Sequence, residues 1–252
     1  MAAPACFVTP GLVLRETETR EADKILTVLT RDFGKVPVIA RGVRRKGCRF
    51  AAAAQPLAYS ELTLYRKGDW YYLNEGSTLE LFEGLRRDLE LLSLGSYFAE
   101  LTEAVAGEEE TAAPLLSLLL NALYALDRLR KPQKLVKAAF EMKLLSLAGY
   151  EPLADACAYC GVPDPEEPLL DVVQGVLRCR ACGEKGRGLS LPLCRDSLAA
   201  LRHILYGDSK RLYSFTLGED ALTRLSDAAE AFAAAQLERS FRTLDFYKSI
   251  RV

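Results

Sequence analysis

The sequence predicts an α+β protein, with a small N-terminal β-barrel followed by an α-helical domain that carries a cysteine-rich insertion. Three observations lead there. Apolar residues alternate in short, turn-bounded runs from residue 8 to about 82, the period turns helical after Leu79, and two C-x-x-C pairs interrupt the helical part. With 252 residues, half of them apolar, the chain is long enough to bury a sizeable core.

The strand signals come in order. Val13 and Leu14 mark the first and Ile25 to Thr30 the second, and Asp32-Phe33-Gly34 supplies a turn. Val36, Val38 and Ala40 then alternate with Lys35, Pro37 and Ile39, the period of a half-buried strand. Leu57 to Tyr65 and Trp70 to Leu79 are joined by Arg66-Lys67-Gly68-Asp69, which has Gly and Asp where a tight hairpin needs them. Five short strands in about 75 residues match an OB-type barrel, placed at residues 1–80, and leave an SH3-like barrel open.

From residue 81 to 252 the pattern is helical. Leu81, Leu85, Leu89 and Leu92, then Tyr97, Phe98, Leu101 and Val105, recur at i, i+3 and i+4. Gly107-Glu108-Glu109-Glu110 reads as a solvated loop, Pro114 as the first turn of a helix, and Lys131-Pro132 as its stop. Gln133 to Leu147 forms the next helix and ends at Gly149. Two more are expected, Pro192 to Tyr206 and Glu219 to Tyr247, so the segment 153–190 is an insertion within the helical domain.

That segment holds Cys157-Ala158-Tyr159-Cys160-Gly161 and Cys179-Arg180-Ala181-Cys182-Gly183. Two C-x-x-C pairs at this separation are a zinc-site spacing, since each turn presents two thiolates to one tetrahedral ion. The glycine after each pair permits the positive φ that such turns often adopt. Redox chemistry is disfavoured, because a redox C-x-x-C acts alone beside a thioredoxin-like strand and helix. Four thiolates from Cys157, Cys160, Cys179 and Cys182 close the coordination sphere, so one structural zinc is expected, with no position for water or substrate. Cys6, Cys48 and Cys194 are left as reduced packing thiols.

The chain has 33 basic and 34 acidic side chains, a formal net charge of -1. They are unevenly spread. From Phe33 to Ser60 there are six cations, Lys35, Arg41, Arg44, Arg45, Lys46 and Arg49, and not one carboxylate. This +6 segment, centred on a Gly-bracketed loop expected to be mobile, is suited to a phosphate backbone bound by counterion release. Gly42 and Gly47 have a P-loop's glycine spacing, but Cys48 and Arg49 stand where Lys and Ser/Thr are required, which excludes an NTPase of that kind. Tyr59, Tyr65, Trp70, Tyr71 and Tyr72 are available for stacking on unpaired bases, although Tyr71 and Tyr72 must face opposite sides of a strand.

Catalytic patterns are missing. His203 is the sole histidine, set in a helix with no motif around it, and neither G-x-S-x-G nor H-E-x-x-H occurs, so a non-enzyme is expected. Neither a basic n-region with an apolar core nor a bilayer-length apolar run is present; the longest, Ala112 to Leu126, is interrupted, which leads us to expect a cytoplasmic protein.

Several blocks, in this order, resemble the bacterial DNA repair protein RecO family. They are Glu21-Ala22-Asp23-Lys24-Ile25-Leu26-Thr27-Val28-Leu29-Thr30, Gly34-Lys35-Val36, Ala40-Arg41-Gly42-Val43-Arg44-Arg45-Lys46 and Leu147-Ala148-Gly149-Tyr150-Glu151-Pro152-Leu153, followed by the cysteine pairs. The C-terminal end departs from the family pattern at Arg242-Thr243-Leu244. The resemblance implies an N-terminal OB-fold and a helical domain with a zinc-binding insertion. It also implies binding of single- and double-stranded DNA, annealing of complementary strands, and work with a RecR partner to help RecA displace single-strand-binding protein. Carried over to these positions, Arg41, Arg44, Arg45 and Lys46 are the DNA contacts, flanked by Lys35 and Arg49. The acidic, apolar tail of single-strand-binding protein needs an apolar groove edged by cations, for which Lys134, Lys137 and Phe140 are candidates, with Lys131, Lys143 and Leu135 beside them.

Two other classes compete. A zinc-ribbon factor of the transcription or translation machinery would touch nucleic acid or a protein through the knuckles, using Arg178 and Arg180. A thiol enzyme would need Cys48 or Cys194 as nucleophile, and no partner base is visible in sequence.

Overall fold

The structure, a computed structural model, describes residues 6–19, 22–108, 110–183 and 188–251. Glu21 of the first family block and Glu109 of the acidic loop lie outside the described residues.

Five strands close a barrel: β1 (Cys6–Thr19), β2 (Asp23–Thr30), β3 (Gly34–Ala40), β4 (Tyr59–Lys67) and β5 (Trp70–Glu80), in the order β1-β2-β3-β5-β4 with β1 also paired to β4. All pairings are antiparallel except β3 with β5, which follows from the long connection between β3 and β4. This is the OB-type barrel. The alternation read in the sequence holds: Val36, Val38 and Ala40 are buried, while Lys35, Pro37 and Ile39 face outward. Val13, Leu26, Val28, Leu62, Leu64 and Leu73 complete the core. At the turn between β2 and β3, the Thr30 hydroxyl donates to the Gly34 carbonyl and accepts from the Phe33 N–H.

Residues 41–47, expected as a loop, belong to a chain of turns that runs to residue 58 and is anchored to the barrel by backbone hydrogen bonds. Val43, Ala53, Ala54 and Leu57 are buried, and the Val13 backbone accepts from Leu57 N–H and donates to the Ala58 carbonyl. Small side chains make this possible, since the run Ala51-Ala52-Ala53-Ala54 can lie flat against β5, where Gly76 leaves the Ala53 methyl room that a side chain would occupy.

Helices α1 (Glu83–Arg86), α2 (Leu89–Val105) and α3 (Ala113–Asp127) follow the barrel. Asp88 caps α2 by accepting from Leu91 N–H, and Pro114 lies in the first turn of α3. Then come α4 (Gln133–Leu147), β6 (Pro168–Asp171), β7 (Val176–Cys179), α5 (Arg180–Gly183), β8 (Ser190–Pro192), α6 (Arg195–Tyr206), α7 (Glu219–Leu237) and α8 (Arg242–Ile250). Strands β7, β6 and β8 make a three-stranded sheet within the insertion. Among the described residues no helix is long and apolar enough to cross a membrane.

The helix expected from Glu219 to Tyr247 is two. It ends at Leu237, Glu238 takes a left-handed conformation with φ 50°, and α8 starts afresh at Arg242. No Gly or Pro marks this break; tertiary pairing of α8 with α2 overrides the local pattern, through Glu100 accepting from the Thr243 N–H and hydroxyl and through Phe241 against Tyr97. Compactness accordingly groups the chain as Met1–Arg128 with Phe241–Val252, and Leu129–Ser240 as a second unit. The barrel itself ends at Glu80.

Candidate nucleic-acid cleft and metal centre

The turns after β3 bring most of the basic segment to one place. Arg41, Arg45, Lys46 and Arg49 line a cleft of about 650 Å³ together with Cys48, Phe50 and, from β5, Asn74, Glu75 and Gly76. Its shape is set by specific turns. The Gly42 N–H donates to the Asp23 carboxylate, Gly42 adopts φ +65°, and Arg45 N–H and Cys48 N–H each close a turn back onto Gly42 and Arg45 carbonyls. Arg45 lies across the bare Cα of Gly42. On the opposite wall the β4–β5 register slips between Thr63 and Leu64, a bulge that turns both Asn74 and Glu75 outward into the cleft.

Among the described residues, Arg45, Lys46 and Arg49 make no ion pair with a carboxylate. Arg41 rests over the Tyr72 ring, its guanidinium carbon 4.8 Å from the centroid. Among the described residues, four cations on one concave surface face the single carboxylate of Glu75 and make a focused positive field.

The other two cations of the segment go elsewhere. Arg44 pairs with Glu18 at 3.1 Å and is not in the cleft lining. Lys35 sits near the far end of β3, about 20 Å along the chain from Arg41 at about 3.3 Å per residue, and its Nζ donates to the Glu103 carbonyl at 2.9 Å. Sequence spacing could not reveal this, because six cations in one segment say nothing about which face each one takes.

The candidate partner groove on α4 is corrected. Lys137 is 3 % exposed and is held by Glu141 and Glu230, each at 2.9 Å, and Phe140 is completely buried. Lys143 is also buried, donating to the Leu205 carbonyl, and Lys134 pairs with Glu219. Helix α4 is the core of its unit, which is why polar groups on it carry internal partners.

All four cysteines of the knuckles converge, with their Sγ atoms within 4.8 Å of one another. A tetrahedral zinc with bonds of about 2.3 Å has S–S edges of about 3.8 Å, and Cys160 and Cys179 are 3.7 Å apart. The donor set and spacing fit a divalent ion. After the first pair Gly161 adopts φ +73°, as its position suggested, whereas Gly183 belongs to the helical turn α5 and needs no positive φ. Burial opposes ionisation of Cys157, but N–H groups of Tyr159, Cys160 and Cys179 outweigh it and bring its pKa to about 6. Cys182 is pushed up to about 12, first by its hydrogen bond to Cys179, then by burial and the proximity of Cys160 and Cys179. Four bare thiolates are thus mutually unfavourable, and a cation removes the conflict.

The arginines beside the knuckles are consumed. Arg178 is fully buried in an ion pair with Asp171, also hydrogen-bonded to Gln174 and stacked on Tyr159, and Arg180 pairs with Glu167 at 2.8 Å. They offer little to an outside phosphate, which counts against the zinc-ribbon reading. The thiol-enzyme reading gains nothing either: Cys194 caps α6, its N–H donating to Ser197, and His203 contacts the Arg211 carbonyl and the Phe215 ring.

Two family models match the chain, Recombination protein O N terminal over residues 5–82 and Recombination protein O C terminal over residues 86–245. Among similar curated proteins, the DNA repair protein RecO of Acetivibrio thermocellus is 32% identical over 243 residues, covering 96% of each chain. That of Symbiobacterium thermophilum is 32% identical over 252 residues, covering 98% of each. That of Desulforudis audaxviator is 31% identical over 249 residues, again with 98% of each covered.

Proposed function

The chain belongs to the recombination protein O family, and on that premise we propose that it is a DNA-binding recombination mediator, acting in DNA repair without turnover chemistry of its own. The observation that carries this reading is the cleft of Arg41, Arg45, Lys46 and Arg49, four cations gathered on the turns beside the barrel in a chain whose net charge is -1. Cations in such a cleft bind phosphates by releasing condensed counterions, without choosing a sequence. Two complementary strands repel each other; a protein that neutralises part of that charge raises their local concentration until base pairing takes over. Annealing needs no more than this. In the same reading the protein works in the cytoplasm with a RecR partner, assisting RecA on strands coated by single-strand-binding protein.

Cys157, Cys160, Cys179 and Cys182 would hold one zinc ion, which supplies cross-linking of the insertion and no reaction chemistry. The thiolates would tie β7 and α5 to the turn at residues 157–161.

The test is binding and annealing of labelled complementary oligonucleotides by the natural protein and by a variant with Arg41, Arg45, Lys46 and Arg49 changed to Ala. The variant should bind single and double strands poorly and anneal slowly while retaining its barrel. Equal binding by the two proteins would remove the cleft from the mechanism.

A further inference from the structure

The outer face of the β4–β5 hairpin carries an aromatic stripe that the electrostatic mechanism does not use. Along β5 the side chains alternate, with Tyr71 and Leu73 in the barrel core and Trp70 and Tyr72 outside. The register sets Tyr72 opposite Tyr65 and Trp70 opposite Lys67. The Tyr65 and Tyr72 rings lie 5.1 Å apart and nearly parallel, 12° between planes. Trp70, the only tryptophan of the chain, is 39% exposed, whereas Tyr97, Phe98, Phe140 and Phe232 are fully buried. Rings of Tyr124, Tyr206 and Phe246 are exposed too, so it is the grouping of Trp70 with the stacked Tyr65 and Tyr72 beside the cleft, and not exposure alone, that marks this face.

The stripe runs into the cleft. Arg41 lies over Tyr72 and also lines the cleft, so it belongs to both. From Trp70 the same strand reaches Asn74 in the cleft wall after four residues, about 13 Å. At about 3.4 Å per stacked nucleotide this is the length of roughly four nucleotides. Lys67 and Arg66 add positive charge at the hairpin end.

We propose that Trp70 and the outer face of Tyr65, with Tyr72 packed between Tyr65 and Arg41 as their support, form a base-stacking surface for unpaired nucleotides of a strand whose phosphates lie in the adjoining cleft, so that this face makes the protein prefer single strands to duplex. The proposal rests on the cleft being the phosphate site. A duplex offers the cleft its phosphates but keeps its bases paired and stacked inside, where a ring on a convex barrel wall cannot reach them. An unpaired strand offers both, and every base has a π-face, so stacking adds affinity without sequence choice. Arg41, held in place by Tyr72, is already oriented where the backbone leaves the stripe for the cleft.

The lone tryptophan makes the idea readable. Oligodeoxythymidine, which forms no duplex with itself, is titrated against the natural protein while Trp70 emission is followed, and a blunt duplex of the same length is titrated in parallel. Single strands should quench Trp70 and the duplex should leave it unchanged. Trp70→Ala and Tyr72→Ala should each weaken single-strand binding by about tenfold, within the range of one lost stacked base, with duplex binding unaltered, and Trp70→Phe should restore most of the loss. If the variant lacking the four cleft cations binds both ligands as well as the natural protein, the cleft reading itself is wrong. If that variant loses both ligands, yet Trp70 emission ignores single strands or responds equally to duplex, or the aromatic variants bind like the natural protein, the stacking surface alone is overturned.

Discussion

The division of the basic segment into cleft and non-cleft cations has a quantitative consequence for salt dependence. For single strands the logarithm of the binding constant falls with the logarithm of salt by about 0.7 per neutralised phosphate. If Arg41, Arg45, Lys46 and Arg49 each engage one phosphate, replacing all four by Ala should flatten the slope by about 2.8. Between 50 and 200 mM salt the advantage of the natural protein should then shrink roughly fiftyfold. The control is Lys35→Gln with Arg44→Gln. Lys35 is bound to the Glu103 carbonyl well away from the cleft, and Arg44 is compensated by Glu18. With a screening length of about 10 Å at 0.1 M, their removal should change the slope by less than one contact. Fluorescence anisotropy of a labelled oligonucleotide across a salt series measures both. A control pair that flattens the slope as much as its share of the charge would mean that the segment acts as a diffuse cloud, and the cleft argument would be refuted.

Among the described residues Glu75 is the only carboxylate in the cleft lining, so Glu75→Gln should raise nucleic-acid affinity up to roughly fivefold at low salt and have little effect at high salt, read in the same anisotropy series. Lys137→Met removes the ammonium that pairs with the fully buried Glu141 and should cost about 3–5 kcal/mol in denaturant unfolding, with much of the loss recovered when Glu141→Gln is added; a surface docking role would instead leave stability untouched. At Gly34, φ is +66° and an added methyl would meet the Gly107 and Glu110 carbonyls at 2.6 and 2.7 Å, so Gly34→Ala should lower stability by about 2 kcal/mol or more in the same assay. Metal analysis should return close to one zinc per chain, and strong chelation should lower the melting temperature of the insertion's unit while single-strand binding through the cleft persists; loss of binding in step with zinc would move the site to the knuckles.

Much of this was legible in the sequence, for identifiable reasons. Strand β3 was readable because its period of two is unbroken from Gly34 to Ala40, and the knuckles because C-x-x-C spacing encodes a local turn. The block Gly34-Lys35-Val36 gains a physical meaning: Gly34 is where the chain approaches the 107–110 loop too closely for a Cβ, and Lys35 ties β3 to the end of α2. What stayed hidden were features decided by distant contacts. The break after Leu237 follows from pairing of α8 with α2, and the Asn74 bulge follows from the fit of β5 to β4; neither has a local marker. The burial of Lys137 was hidden for the opposite reason, since a lysine looks solvent-facing until Glu230, nearly a hundred residues on, is brought to it.

Net charge said little about the partner because the cations of this chain are not equivalent. Arg15 is bound to Glu103, Lys24 to Glu16, Arg44 to Glu18, Arg178 to Asp171, Arg180 to Glu167 and Arg202 to Asp164. In each of these pairs the carboxylate cancels much of the positive field that the cation would otherwise present to a polyanion. In the cleft the turns are closed by backbone hydrogen bonds and by Asp23 binding a backbone N–H, so the loop is held in shape without spending its cations. Building the fold of residues 41–58 from alanines and main-chain bonds is therefore what leaves Arg45, Lys46 and Arg49 available, and a near-neutral protein can present a strongly positive site.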